Sequence, residues 1–422
     1  MRTPSLTLTV TLTLALSAAG AAGAAGGAQS PRPLSLVAGP RIEARQLVSA
    51  RDIIVAGGPD GRIVVAGRAA NGEIRGYDSA GIMSPWKLAV GRADSAEILY
   101  PSRVGWIAGT TTMWINDPGY RQIVLVDARG RIRKSIEYPS WVHPHWADRR
   151  AYPVFASMEP MAVYADSSML VLPLRERSLI DTPRYDHSVQ HLLRISRTGA
   201  IERAVATLPL EQGRVIARGP GAGERIINVP FAAKTIFATS NDGMQLVFLS
   251  PGLATADSGT FLVTALDERG DTVFSRRYAQ PVARLPREAV DRFLGNIRGF
   301  GSSSAEQLRA AAAAQIPDFR SFVTGMLVGH DHSTWVFMRP VQDTARERNA
   351  LVLDAHGGVV GSAAIPIGET VVAVDRDHLW ATEPANVTAP ATLVRYTVVP
   401  TTAPPARSGS TSASSRRLRP PA

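Results

Sequence analysis

The chain has 422 residues, 45% of them apolar and 19% charged, and a mean hydropathy of zero. That balance belongs to a globular protein and excludes fibrous, disordered and polytopic membrane classes. Cysteine is absent, which removes disulfides, thiolate metal centres and thiol nucleophiles together.

The formal charge of +10 does not mark a nucleic-acid partner. Five of these charges, Arg2, Arg407, Arg416, Arg417 and Arg419, sit near the two ends, and the +5 left between them is an ordinary surface balance. No basic helix or stripe with interleaved aromatics occurs, so no nucleic-acid partner is expected. Only Lys87, Lys134 and Lys234 are lysines, against 43 arginines.

Residues 1–28 have a short basic start, an apolar stretch from Leu6 to Leu16 and a small-residue run ending at Ala28. This is the pattern of a secretory signal peptide cleaved before Gln29. The apolar stretch is shorter than the roughly 20 residues that span a bilayer, and no later segment reaches that length. The mature chain is therefore expected to be a soluble, exported, monomeric protein of the periplasm or the extracellular space, with no membrane span.

From residue 53 onward a pair of short apolar runs around a polar turn recurs at 53–67, 104–117, 161–174, 235–250, 325–339 and 370–383. Five of these hairpins are followed by an apolar strand, a D-x-x-G turn or its variant, and another strand: GYDSAG, LVDARG, RISRTG, ALDERG and VLDAHG. Asp at the first position accepts backbone N–H groups of a type I turn, and Gly at the fourth takes the left-handed conformation that closes a G1 bulge. Each unit thus has four strands, except that the sixth has only TLVRYTVV (392–399) after its hairpin. Segment 34–47, LSLVAGPRIEARQL, precedes the first unit without a partner in it and is the obvious donor of the missing strand.

The expected fold is all-β: a six-bladed β-propeller of four-stranded antiparallel blades, spanning 29–400, whose last blade is completed by the N-terminal strand. Two intervals are too long for loops of ordinary length. Residues 285–317 predict a small helical insertion between blades four and five, with Ser304 as N-cap, Glu306 and Gln307 close behind, and Pro317 as the stop. Residues 208–230 are Gly-rich and predict a loop. The tail 401–422, rich in Pro, Ser, Thr and Arg, has almost nothing to bury and is expected to be disordered.

This order of motifs, with VPFAAKTIFATSNDG, RYAQPVARLP and IPDFRSFVTGMLVGHDHSTWVFMR around the helical insertion, resembles the exported six-bladed β-propeller proteins of environmental bacteria, related to NHL-repeat propellers. The resemblance covers about residues 35–400. It implies the propeller architecture and a ligand held at the central mouth, in a family whose members serve as binding scaffolds, lactonases or lyases. The second hairpin departs from the pattern, turning through Gly109-Thr110-Thr111 where Asp-Gly is usual.

Connections on the mouth side carry Arg68, Arg121, Arg175, Arg177, Arg184, Arg339 and Arg346. Guanidinium groups converging there favour a carboxylate, phosphate or sulfate, through a planar bidentate fork. An anionic small molecule, a glycan or a protein partner is the expected ligand, and no cofactor is specified. The motif Trp141-Val-His143-Pro-His145-Trp146 puts two imidazoles on one side of an extended chain, and His187 supplies a third candidate metal ligand. A metal-assisted hydrolase or lyase therefore stands beside the binding scaffold as the alternative. His330-Asp331-His332 reads as the turn of the fifth hairpin. Loop aromatics Tyr138, Trp141, Trp146, Tyr152 and Phe155 could stack on sugar rings or cover a core edge. No G-x-S-x-G, S-x-x-K, HExxH or phosphate-loop motif is present.

Overall fold

A computed structural model describes residues 31–44, 53–67, 72–91, 97–138, 155–175, 189–209, 213–219, 223–231, 235–255, 258–301, 303–383 and 391–401. The expected signal segment and nearly all of the expected tail lie outside the described residues. Strand β1 (Pro33–Ala44) is followed by β2 (Ile53–Gly57), β3 (Ile63–Gly67), β4 (Glu73–Tyr77) and β5 (Met83–Ala89). Next come β6 (Arg103–Trp106), β7 (Met113–Asp117), β8 (Gln122–Val126) and β9 (Ile132–Glu137), then β10 (Phe155–Val163), β11 (Met169–Arg175), β12 (Val189–Ile195) and β13 (Ile201–Pro209). A hairpin of β14 (Arg214–Gly219) and β15 (Gly223–Asn228) precedes β16 (Ile236–Thr239), β17 (Gln245–Ala254), β18 (Gly259–Asp267) and β19 (Thr272–Gln280). Helices α1 (Arg287–Gly295) and α2 (Ala305–Ala313) lead into β20 (Val323–Val328), β21 (Thr334–Met338), β22 (Glu347–Leu353) and β23 (Val359–Pro366), and the chain ends in β24 (Thr370–Val374), β25 (His378–Thr382) and β26 (Ala391–Pro400).

Among the described residues, β2 to β5, β6 to β9, β10 to β13 and β16 to β19 are sequential four-stranded antiparallel sheets. The strands after them join an eight-stranded sheet in the order β20-β21-β22-β23-β1-β26-β25-β24. Here β1 runs antiparallel to β26 from Leu34↔Pro400 to Ala44↔Ala391, and its ladder with β23 is confined to Pro33↔Ser362 and Leu34↔Ala363 in parallel register.

The sheets pack face to face because their second strands are apolar on both sides. Every residue of β3, β7 and β21 is buried, the pattern of a strand covered on both faces. Ala56, Val64 and Ile74 of the first sheet pack with Val104, Met113 and Ile115 of the second. Apolar clusters of the same kind join each later sheet to its predecessor. Ile42, Ala373, Trp380 and Leu393 then pack on Ile63, Val65 and Tyr77, so the last strands of the chain close against the first sheet. The fold is an all-β propeller.

The D-x-x-G turns form as their chemistry dictates. Asp127 Oδ1 accepts the N–H groups of Arg129 and Arg131, both at 2.9 Å, and Gly130 has a φ of +74°. Gly130 also meets the preceding sheet: a Cβ there would lie 2.4 Å from Trp86 Cγ. At Asp354, which accepts from His356 and Gly358, the same turn puts Gly357 against Phe274 of the sheet before it. The glycine is thus required twice, for the backbone and for the close approach.

The two long insertions pack on each other. Segment 208–230 is not a loop as its glycines suggest: Leu208 and Pro209 finish β13, and β14 and β15 pair from Arg214↔Asn228 to Gly219↔Gly223. Gly219 and Gly223 are its last described pair, while Val215, Ala217 and Ile227 on the stems pack with Leu308 and Ala312 of α2 and with Ile297. Helix α2 opens with a capping box, in which Ser304 Oγ accepts from Gln307 N–H and Gln307 Oε1 accepts from Ser304 N–H.

Two substitutions separate the glycine's two roles. Gly109 has a φ of +68° with open space where a Cβ would stand, so Gly109→Ala should cost only the left-handed backbone term, about 1 kcal/mol. Gly130→Ala adds the collision with Trp86 and should cost at least about 2 kcal/mol. Denaturant unfolding of both variants checks this; equal losses would show that the turn does not abut its neighbour.

Candidate functional site

The inner-hairpin turns share one end of the ring, and one of them crosses the axis. Residues 240–243 form the turn between β16 and β17, yet the Asn241 carbonyl accepts the N–H of Trp106 in β6 at 2.7 Å. A Cβ on Gly57 of β2 would lie 3.4 Å from Asn241 Nδ2. Strands β2 and β6 belong to the first two sheets, not to those flanking β16, so protein fills this end of the central space.

Charged side chains fasten the plug. His332 Nε2 donates to Asp242 Oδ2 at 3.1 Å, joining the turn before β21 to the turn before β17. Asp242 Oδ1 accepts from the Ser240 hydroxyl at 2.5 Å and from Met244 N–H at 3.1 Å. Burial pushes the Asp242 carboxyl up, but His332, Ser240 and Met244 together hold it below the usual carboxylate range. The Asp242 hydrogen bond raises His332 in spite of burial, whereas burial lowers His330 against the pull of Asp242, Asp331 and Asp60. Asp331 accepts from Ser333 N–H and hydroxyl and, through Oδ2, from Arg376 N–H at 2.8 Å, which ties on the turn before β25. Asp242, Asp331 and His332 are thus bonded within the chain and act as a staple, while His330 Nδ1 is buried beside them without a hydrogen-bond partner among the described residues.

At the opposite end lies a cavity of about 640 Å³. Pro251, Gly252 and Ala254 come from the end of β17 remote from the 240–243 turn, and Phe322 and Val323 from the start of β20, remote from the 329–333 turn. Its apolar lining includes Phe231, Leu249, Ile316, Phe319 and Phe322, and its principal charged group is Arg320. Phe322 lies tilted against Phe261 at 5.8 Å between ring centroids, and Phe231 meets Phe293 of α1 edge-on at 5.9 Å. Arg320 is pinned by its N–H to the Ala283 carbonyl at 2.9 Å and sends Nη1 and Nη2 to the two carboxylate oxygens of Asp343. The guanidinium holds Asp343 below the usual carboxylate range.

Of the arginines expected at the mouth, Arg339 borders this cavity: its N–H donates to the Phe322 carbonyl at 2.7 Å and its Nε to the Ser321 carbonyl at 2.9 Å. Arg346 is exposed on the β21–β22 connection, where its carbonyl accepts Ile367 N–H. Arg121, also exposed, has a φ of +54° and accepts Tyr138 N–H through its carbonyl. Arg175 ends β11, and its side chain is outside the description, as are Arg68, Arg177 and Arg184 entirely. His143, His145 and His187 also lie outside the described residues. Sequence reasoning missed Arg320, although an arginine between Phe319 and Phe322 directly after a helical insertion was a usable signal.

No known protein family matches the chain by sequence, and no curated protein matches it. Among solved structures, the chain is similar to a member of the DUF4221 family from Bacteroides vulgatus, at 11% identity and a TM-score of 0.46, covering 88% of this chain and 100% of that one. Virginiamycin B lyase from Staphylococcus aureus matches at 11% identity and a TM-score of 0.38, covering 87% and 100%. Regucalcin, a calcium-binding protein from Agrobacterium tumefaciens, matches at 10% and 0.36, covering 87% and 96%. No described helix is long and apolar enough to cross a membrane.

The staple makes stability depend on pH. His332 binds its proton more tightly in the folded chain, so its contribution is complete below the ordinary histidine value of 6.5 and is lost as pH rises through the raised value. Asp242 binds its proton less tightly, so its contribution is complete above 3.8 and is lost as pH falls through the lowered value. Asn tolerates the φ of +65° at position 332. His332→Asn should therefore lower Tm at pH 5.5 by about 1–3 °C, with the gap closing by pH 9. A gap unchanged between these pH values would leave the histidine a packing role only.

Proposed function

We propose that this chain is an exported, monomeric six-bladed β-propeller that acts as a binding scaffold, holding a small organic ligand on the face opposite the staple. Six blades follow when the eight-stranded sheet is divided between β23 and β1, whose ladder has only two register pairs. Strands β24, β25, β26 and β1 then make a blade drawn from both ends of the chain. The signal pattern in residues 1–28 supports export.

The cavity of about 640 Å³ carries the reading. Its size is that of a small-molecule site, and a few polar groups among aromatic walls are what such sites use to orient a ligand. It is built where the propeller leaves its plain plan, between sheet ends and the paired insertions. That concavity favours a small molecule over a protein surface, and the neighbouring Arg320 and Arg339 favour an anionic one. At the opposite end Asn241 and its turn reach across to β2 and β6, and the cavity beside Asp60 and Trp106 there is smaller, about 390 Å³.

The test uses N-phenyl-1-naphthylamine, a neutral probe that fluoresces in apolar surroundings. Ala314 is an exposed residue at the end of α2 that lines the cavity, so Ala314→Trp should fill the space from its rim and leave the core intact. One probe per wild-type chain is expected, with affinity falling about tenfold or more in Ala314→Trp. Absence of binding, or equal binding to both proteins, would sink the reading.

A further inference from the structure

We infer that the cavity takes an organic monoanion with an aromatic or similarly apolar body, whose anionic group replaces the Asp343 carboxylate on the Arg320 guanidinium. The inference rests on the binding site proposed above and adds the chemistry of its ligand.

The argument starts from how unequally the Arg320–Asp343 pair is held. Arg320 belongs to the inner wall: its side chain is 21% exposed, its backbone is bonded to Ala283, and Phe319 and Phe322 flank it in the cavity lining. Its neighbours are fixed too, since Arg284 lies over the Phe319 ring and Ser321 donates its hydroxyl to the Val323 carbonyl while receiving Arg339. Asp343 is 74% exposed and sits in the stretch 341–344, all of it exposed, between β21 and β22. The backbone and flanking rings of Arg320 are thus fixed by the wall, its guanidinium hydrogen bonds run to Asp343, and the carboxylate is the outward, removable half.

An exposed ion pair of this kind contributes little to stability. Exchange of Asp343 for a ligand carboxylate or sulfonate keeps the two-pronged contact that the guanidinium fork prefers. Charge favours one anion and not two. Arg320, Arg339 and Arg284 stand against Asp343 and the exposed Asp318, a local excess of one positive charge that suits a single negative group. The body of the ligand would lie against Phe231, Leu249 and Phe322, gaining the apolar burial that Asp343 cannot offer. Asp343 then acts as an internal competitor that holds Arg320 in its binding geometry while the cavity is empty.

The decisive comparison sets 1-anilinonaphthalene-8-sulfonate beside neutral N-phenyl-1-naphthylamine, two probes with the same ring system that differ in the sulfonate. Fluorescence titrations would be run on the wild-type chain and on Asp343→Asn, Arg320→Gln and Arg320→Lys. Asp343→Asn should bind the sulfonate about two- to fivefold more tightly and the neutral probe unchanged. Arg320→Gln should weaken the sulfonate about tenfold or more, with Arg320→Lys between it and the wild type, again without effect on the neutral probe. If the neutral probe binds but sulfonate affinity ignores both positions, the inference falls and the site remains. If neither probe binds, the site itself falls. Should Arg320→Gln not fold, Asp343→Asn decides alone, because its side chain stands in solvent.

Discussion

Strand β26 has an open edge until residues 33–44 return to cover it, and the closed form of the molecule depends on that pairing. The register from Leu34↔Pro400 to Ala44↔Ala391 does more than cap a sheet. It carries Ile42 into the cluster with Ile63, Tyr77 and Trp380, where the end of the chain meets its beginning. Without it β26 would keep an unpaired outer edge, and Ala373, Trp380 and Leu393 would hold the first and last sheets together without Ile42. Closure through hydrogen bonds between the two ends of the chain is more specific than closure by apolar contact alone, since a one-residue slip would turn Ile42 to solvent.

Once the ring is closed, its two ends face different physical demands. Inner turns converge near the axis, where polar backbone must be satisfied without much water. The chain meets this with Asn241, Asp242, Asp331 and His332, each bonded to another turn or strand, so that end becomes rigid and occupied. At the other end the strands diverge into longer connections, and insertions can be added without disturbing the sheets. The hairpin β14–β15 and helices α1 and α2 occupy such positions, and their mutual packing through Val215, Leu308 and Ala312 makes them one accessory layer. A cavity appears where that layer meets the ends of β17 and β20, because two surfaces built from different segments seldom fit without a gap.

What the sequence disclosed follows the range of the interactions involved. Asp127 and Gly130 are read easily because carboxylate and glycine act within four residues of each other. Ser304 and Gln307 are read for the same reason, their capping box being local. The partner of β1 required only a count of strands, since one was missing at the end and one was spare at the start. The hairpin at 214–228 was misread because its Gly-rich tip is a local signal, while the reason its stems form strands is a helix some 80 residues later in the sequence. Arg320 was missed on the same grounds: Asp343, Ala283 and the aromatic wall that define its role come from separate segments. Arg339 was picked out, but as a member of a converging set of arginines. In the fold its Nε serves the Ser321 carbonyl, so it supports the cavity wall beside Arg320.

Under the proposed reading, this division is how a propeller of such ordinary blades would be particular about a ligand. The repeated units fix positions, since their turns abut neighbouring sheets as Gly130 abuts Trp86 and Gly357 abuts Phe274, leaving the blades little freedom to shift. Rigid blades hold Leu249 and Val323 at set places in the cavity floor. The accessory layer contributes Phe231 and Ile316, and the exposed stretch with Asp343 lies over the rim. The cavity lining can therefore change through the insertions and the β21–β22 connection while the ring stays the same. A guanidinium anchored to the ring and answered by a carboxylate on a surface connection is one consequence: the fixed partner belongs to the scaffold, and the exchangeable one to the part that is free to vary.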